Sequence, residues 1–512
     1  MIKVLEFDGH IRNWKALCEE FGFDLTLTRE EREEKIIIEA YKRWDKDMAE
    51  HLHGMFSFAI KDDEKDLIFC LRDQFGAKPF YYYVTDDNKL LFSSSITKIA
   101  KQSGFKKEFN DDMLQLYLTF TYAPGENTFF KGLKKLRPGS YLVWKDNKLE
   151  VQRYFRPVFE PDESKSLDEW VDEIKSTVSE IMDELNEEEK KTLSFLSSGV
   201  DSSYVTAMAD IDMCLTCGYE NFPLDESAQA CETAKGLDKE CKIGLVTPDK
   251  YFECIPYVMT NMEQPLGDAS APAFALSCRE AAKYGEICYS GEGSDEFFAG
   301  YNMHRRAETY GDKLSEFYIG NTNIMKEDEK QELLNKYNPE LLPIDAIQDA
   351  YAETKDFSPL GKMLAVDIDV WLDGDIYLNV DKMSQAAGIE VRMPLTDTRI
   401  FDIARRLPDN FKIHDDFNKY AFRLAADTVL PEGVAFRRKL GFVVPIRKWL
   451  ADPQYNADVL KRLHGDAAKK FFSIEKIDSI YDEYINVNSD HWRKIWNLYA
   501  FLVWYEEYFE KI

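Results

Sequence analysis

Two short stretches constrain this chain more than anything else in it: FLSSGVDSSYV (195–205) and ICYSGEGSDEFFAGY (287–301). Each reads as an apolar strand that runs into small residues and carboxylates and then into a helix. At a strand end in a parallel sheet, such a turn points backbone N–H groups and a helix N-terminus at an anion. In the first stretch Leu196 opens the loop. Ser197, Ser198, Gly199, Ser202 and Ser203 are small enough for the backbone to approach an oxyanion, and Asp201 is placed to hold Mg²⁺ on phosphates. The plainer reading is a serine-rich turn with Asp201 as an N-cap. The second stretch adds Gly291, Glu292, Gly293, Ser294, Asp295 and Glu296. Like charges in one cleft are costly without a cation, and Mg²⁺ between Asp201, Asp295 and a polyphosphate supplies one. The plain role for Glu296 is a helix cap or the partner of a basic side chain. The Walker pattern GxxxxGK[ST] is absent.

The surrounding rhythm supports a parallel sheet. Helices over 167–187, from 202, and over 226–236, 249–261 and 271–284 alternate with strands over 192–196, 213–219, 242–246 and 286–290. That alternation predicts helices on both faces of the sheet. Upstream of 156 the pattern differs. Alternating runs at 54–62, 66–73, 79–86, 89–95 and 139–155, with turns at Asp87-Asn88 and between Lys145 and Lys148, predict antiparallel strands. Helices are expected over 31–44 and 110–119. At the start, the apolar run Val4–Phe7 is expected to end in a turn at Asp8-Gly9, with a helix from Asn13. The polar segment 156–170, with two prolines, is the natural linker. Beyond 312 the chain reads mainly helical, and RKIWNLYAFLVWYEEYF near its end reads as a buried helix.

A length of 512 residues implies two or more domains. A net charge of −28 leaves no basic footprint for nucleic acid. No apolar run approaches the ~18 residues that span a bilayer, and the first residues do not form a signal peptide. Nine scattered cysteines, among them Cys70, Cys214, Cys278 and Cys288 in apolar settings, are expected as thiols in a reducing cytoplasm. Cys214 and Cys217 form a CxxC inside the strand-like MCLTCGY and read as core. Seven histidines without ligand spacing argue against zinc.

The first loop resembles the SGGxDSS pyrophosphate loop of ATP pyrophosphatases. Together with SGEGSDE it is similar to the asparagine synthetase family, which includes the β-lactam synthetases. Asp381-Lys382-Met383-Ser384 followed by Glu390-Val391-Arg392-Met393-Pro394 resembles the family's D-[RK]-x-[ST] and E-x-R-x-P run, and Arg438-Lys439-Leu440-Gly441-Phe442 its RKxGF loop. Gly54–Ala59, Arg72-Asp73 with Phe75-Gly76 and Lys78-Pro79, and Leu136-Arg137-Pro138-Gly139 resemble its glutaminase-side domain. The resemblance implies an α+β domain over 1–157, a truncated Ntn-like antiparallel sandwich degenerate in its glutaminase. It also implies an α/β domain over 168–512 of the adenine nucleotide α-hydrolase type.

It further implies that ATP and Mg²⁺ activate a carboxylic acid as acyl-adenylate, which an amine then attacks. In that scheme Lys382 and Lys439 steady the departing pyrophosphate, Asp201 and Asp295 hold the metal, and Glu292 accepts a proton from the amine. Thr216 and Gly218, with Gly291, lie where the nucleotide would. Asp268 and Ser270, in a stretch like ExPxxDxS, would line the acyl side. Three departures stand out: Ser198 for a glycine, Leu395-Thr396 before Asp397 for Phe-Leu, and Ser95 for a glutamate. Asp8–Asn13 aligns with NGEIYN, a motif well inside the family's glutaminase domain, so the nucleophilic cysteine and first strands are expected to be missing. Asp8 replaces an oxyanion-donating Asn, His10 a Glu, and Glu33 the glutamine-gripping Asp.

The expected activity is therefore an amide-forming ligase acting on an aspartate-like acid with free ammonia, or with ammonia from a separate glutaminase. The alternatives are a synthetase joining the acyl-adenylate to a larger amine, and a non-catalytic scaffold. Small-molecule partners, a cytoplasmic location and possible homodimerisation go with this reading, without nucleic acid or membrane.

Overall fold

The computed structural model describes residues 1–186, 191–211, 213–352, 354–438 and 441–511. Two compact units make up the chain: Met1–Asn110 with Gly125–Val158, and Asp111–Pro124 with Phe159–Ile512. The helix Asp111–Phe120, expected with the first domain, groups with the second. Every residue from Met113 to Phe120 is buried. Tyr117 donates its hydroxyl to the Asn497 carbonyl at 3.0 Å, and Lys330 Nζ donates to Thr119 Oγ1 at 2.7 Å.

The first unit holds β1 (Ile2–Ile11), β2 (Gly54–Asp62), β3 (Leu67–Arg72), β4 (Tyr81–Val84), β5 (Leu90–Ser93), β6 (Lys134–Lys135), β7 (Ser140–Lys145) and β8 (Lys148–Arg153). One antiparallel sheet runs β1-β2-β3-β7-β8 and a smaller one β5-β4-β6. Helix Arg29–Trp44 lays Ile36, Ile37 and Tyr41 on Phe56, Phe58 and Ile60 of β2. The β7–β8 hairpin turns on Asp146-Asn147, both at positive φ (49° and 57°), as a two-residue hairpin demands.

The expected turn at Asp8-Gly9 is not there. Strand β1 runs through it, with Gly9 opposite Phe56 at φ 127°. A Cβ on Gly9 would stand 2.0 Å from the Met55 carbonyl oxygen, so this glycine serves a close backbone approach inside a strand. The Arg72-Asp73 motif is structural. Buried Arg72 donates to the carbonyls of Gly76, Lys78 and Leu136 at 2.7, 2.6 and 2.6 Å, and Asp73 accepts from the N–H groups of Phe75, Ala77 and Lys78. Arg72→Ala strands three carbonyls at roughly 1–3 kcal/mol each, so a clear fall in thermal midpoint by calorimetry is the expected outcome.

In the second unit β9 (Thr192–Phe195), β10 (Met213–Gly218), β11 (Glu240–Leu245), β12 (Ile287–Tyr289) and β13 (Glu390–Arg392) form a wholly parallel sheet in the order β11-β10-β9-β12-β13. The first strand is central. The chain winds outward to β11, then crosses to the other side, so the order reverses between β9 and β12. That is the switch point where open sheets bind ligands. The fold class is thus α+β followed by α/β, as the sequence predicts; β13 was visible there only as a motif. The aromatic helix Trp492–Tyr505 is buried from Ile495 onward. No described helix is long and apolar enough to cross a membrane.

The expectation of nine thiols fails for two. Cys231, on helix Ser227–Gly236, is joined to Cys241 on β11, with Cα atoms 5.3 Å apart. Cys214 and Cys217 stay free, as expected: a spacing of three puts them on opposite faces of β10.

Candidate active site

The two motifs meet at the switch point. Helix Val200–Met208 begins directly after the serine loop of β9, and the SGEGSDE loop leaves the neighbouring β12. Their contact is backbone to backbone. A Cβ on Gly291 would lie 2.6 Å from Ser202 N and 2.8 Å from Asp201 C. The serine loop is held open by its own hydroxyls. Ser197 N donates to Ser202 Oγ at 3.0 Å, the two hydroxyls sit 2.8 Å apart, and Gly199 N donates to Ser197 Oγ at 3.1 Å. Ser198, at the glycine position, is buried and turns its N–H and hydroxyl to Glu226 Oε2 at 3.1 and 2.8 Å. Its side chain therefore anchors the loop to the next helix. Leu196 and Ser203 pack inward beneath the loop. Thr216, also buried, and Gly218 end the adjacent strand β10.

The two carboxylates predicted to share a cation do share one, and it is a lysine. Lys419 Nζ lies 2.7 Å from Asp201 Oδ2 and 2.7 Å from Asp295 Oδ1. It also donates to Ser294 Oγ at 2.9 Å, and that hydroxyl donates to Asp201 Oδ1 at 2.7 Å. Lys419 is 1% exposed and sits at φ 55°, just before helix Tyr420–Asp427. A left-handed lysine is a strained conformation that the surroundings must impose. Sequence reasoning missed Lys419, because it lies 218 residues from Asp201 in an unremarkable NKYAF. Among the described residues no group of three His, Cys, Asp or Glu converges on a metal position. Two carboxylates are nonetheless the donor set Mg²⁺ takes when phosphate oxygens complete its octahedron, so this pair fits Mg²⁺–nucleotide.

Beyond this cluster lies a second set of acids and bases. Lys382 is buried and pairs with Glu263 at 2.7 Å; Glu263 itself is held at φ 64°. Asp268 accepts from Ser270 N at 2.8 Å and from its hydroxyl, and burial raises its carboxyl above the usual range. Among the described residues Glu296 neither caps a helix nor pairs with a base. It is buried, accepts from the Tyr301 hydroxyl at 2.5 Å, and burial first, then the charge of Asp295, pushes it up to about 8. Glu292, on the turn after Gly291, is half-buried. Lys439 lies outside the described residues.

In the first unit, Asp8 pairs with Lys78 at 3.4 Å. Glu33, buried, accepts from Ile11 N at 3.3 Å and lies 3.4 Å from both His10 Nδ1 and Arg29 Nε.

An α/β sheet with a phosphate-type loop and a lysine-bridged acid pair at its switch point, preceded by an antiparallel unit, defines a two-part nucleotide-dependent synthetase. A model of the glutamine amidotransferase domain matches residues 2–155, and one of asparagine synthase matches residues 173–506. The chain belongs to the asparagine synthase family, and it is an ATP-dependent carbon–nitrogen ligase. It is 29% identical over 544 aligned residues to the asparagine synthetase [glutamine-hydrolyzing] 1 of Bacillus subtilis, covering 99% of this chain and 85% of that protein. It is 27% identical over 552 residues to a putative asparagine synthetase [glutamine-hydrolyzing] of Mycobacterium bovis, with the same coverage. A more distant match, amidase chyE of Penicillium rubens, is 28% identical over 295 residues, 53% of this chain and 43% of that protein.

Proposed function

We propose that the chain adenylates an aspartate-like carboxylic acid and then transfers ammonia to it without hydrolysing glutamine itself. The observation that carries the first half is the Asp201–Lys419–Asp295 cluster, locked between two small-residue loops at one switch point. The acid's oxygen attacks the α-phosphorus, the bond to the β-phosphate oxygen breaks, and pyrophosphate leaves. Backbone N–H groups of Ser197–Ser203 receive the leaving charge together with Lys382 and Lys439. Asp201 and Asp295 would hold Mg²⁺, which supplies charge neutralisation on the polyphosphate. Thr216 and Gly218 border the nucleoside, and Gly291 keeps the second loop against it. Asp268 and Ser270 line the acyl side. The amine nitrogen then attacks the acyl carbon, the bond to AMP breaks, and Glu292 takes the released proton.

The second half rests on the first unit. A glutaminase needs a neutral donor for its oxyanion and a free carboxylate for the substrate's amine. Asp8 is an anion paired with Lys78, and Glu33 is spent on Ile11, His10 and Arg29. Ammonia thus comes free in solution or from a separate glutaminase. The relatives named above carry glutamine hydrolysis in their names, so the point is open to direct test. Amide formation measured with ammonium and with glutamine at equal concentration should proceed with ammonium alone. Equal rates with glutamine would refute this half.

A further inference from the structure

Helix Ser227–Gly236 touches the candidate site at three points. Glu226, the residue before it, receives Ser198 N and Oγ of the serine loop at 3.1 and 2.8 Å. Ser227 Oγ would stand 3.2 Å from a Cβ on Gly218, at the end of β10. Further along, Thr233 Oγ1 and the Gln229 carbonyl accept from Arg437 Nη1 at 2.7 and 3.3 Å, just ahead of the loop that carries Lys439. The helix is lightly packed for that load. Its buried side chains are Ser227, Ala230, Thr233 and Ala234, and side chains of that size remove little apolar area from water. The strand beside it, β11, is an end strand of its sheet, next to β10. Elements with few buried apolar contacts are the ones that open locally first.

A covalent tie holds these two marginal elements together. Cys231, beside Ala230 on the helix, is bonded to Cys241 on β11. Cys241 also packs against the cluster of Leu196, Cys214, Ala230 and Ala234, and Leu196 is the residue that opens the serine loop. Both bridge cysteines are part-exposed, whereas all the free ones except Cys217 are buried. A chain of 512 residues has core enough to fold without a staple, and exposed bridges are the ones that thiols reach and exchange. We propose that Cys231 and Cys241 are a redox-modification site, opened by a dithiol reductant, that governs how firmly the serine loop is held. A reductant thiolate attacks one bridge sulfur, the S–S bond breaks, and the reductant's second thiol resolves the mixed disulfide. The reductant leaves as its own disulfide, and the two cysteines take up two electrons and two protons. Helix Ser227–Gly236 is then free to shift on β11, and the Glu226 grip on Ser198 loosens with it. The effect on nucleotide rests on the ligase reading above; the thiol site itself does not.

The test uses the full chain in two states, incubated with glutathione disulfide or reduced with dithiothreitol, beside the double variant Cys231→Ser, Cys241→Ser. Alkylation in denaturant should count seven thiols in the oxidised chain, the free set, and all nine after reduction. Amide hydrogen exchange over 227–236 and 197–203 should quicken on reduction and slow again on reoxidation. The ATP KM in pyrophosphate exchange should rise about fivefold on reduction, as loosening one anchoring hydrogen bond implies. The double variant should match the reduced wild type and ignore dithiothreitol. Nine thiols in the oxidised chain, or serine-loop protection that reduction leaves unchanged, would overturn the site. So would a response of the double variant to dithiothreitol, which assigns the effect to another cysteine. Because the reduced wild type is tested alongside, a double variant that fails to fold leaves these readings in place. Quickened loop exchange with an unchanged ATP KM would overturn the control of nucleotide binding. Pyrophosphate exchange absent from the wild type with every acid would sink the ligase reading alone, while thiol counts and amide exchange would still report on the site.

Discussion

Lys419→Met is expected to abolish ATP–pyrophosphate exchange and to destabilise the second unit by about 3–5 kcal/mol, the cost of removing one partner from a buried ion pair. The reason is geometric. Asp201 and Asp295 follow two adjacent strands, and the Lys419 ammonium, 2.7 Å from each, is the charge in direct contact with both, with the Arg423 guanidinium adding to it. Methionine keeps the volume and loses the charge. The carboxylates are then expected to turn apart or to hold a proton, and in either case the nucleotide meets the wrong donor set. Denaturant titration reads the stability loss. Exchange measured below the unfolding transition reads the lost function separately.

Gly291→Ala should be nearly as damaging to function while costing less stability. The added methyl would sit 2.6 Å from Ser202 N and 2.8 Å from Asp201 C, both backbone atoms that no rotamer change can move aside. The two loops must separate by a sizeable fraction of an ångström, and displacements of about 1 Å at a catalytic site cost on the order of a hundredfold in rate. The expected result is a fall of that size in kcat/KM for ATP, with a thermal midpoint within a few degrees of wild type. A variant with normal ATP kinetics would mean that the two loops need not touch.

The sequence exposed most of this architecture where its signals are local. The strand-to-small-residue-to-helix pattern depends on neighbouring residues, and so does the Asp146-Asn147 hairpin. The alternation of strands and helices announced a parallel sheet, but only the structure shows that β9 is central and that its loop adjoins that of β12. What stayed hidden is what chain folding brings from afar. Lys419 has no motif around it. Glu263 stood in a recognised stretch, yet its bond to Lys382 spans 119 residues. The Cys231–Cys241 bridge joins a helix to an edge strand across a turn that no cysteine spacing advertises. At Asp8-Gly9 a local signal misled, because glycine is used for turns and for close strand contacts alike. Asp375 is fully buried, and nothing in the local run DGDIYL reveals it.

Carboxylate-dependent ATP–pyrophosphate exchange, run over a panel of acids with the wild type, Asp201→Asn and Asp295→Asn, is the most direct measurement. Exchange with an aspartate-like acid is expected in the wild type and in neither variant. Exchange with no acid in the panel, or exchange retained by both variants, would contradict the proposed adenylation.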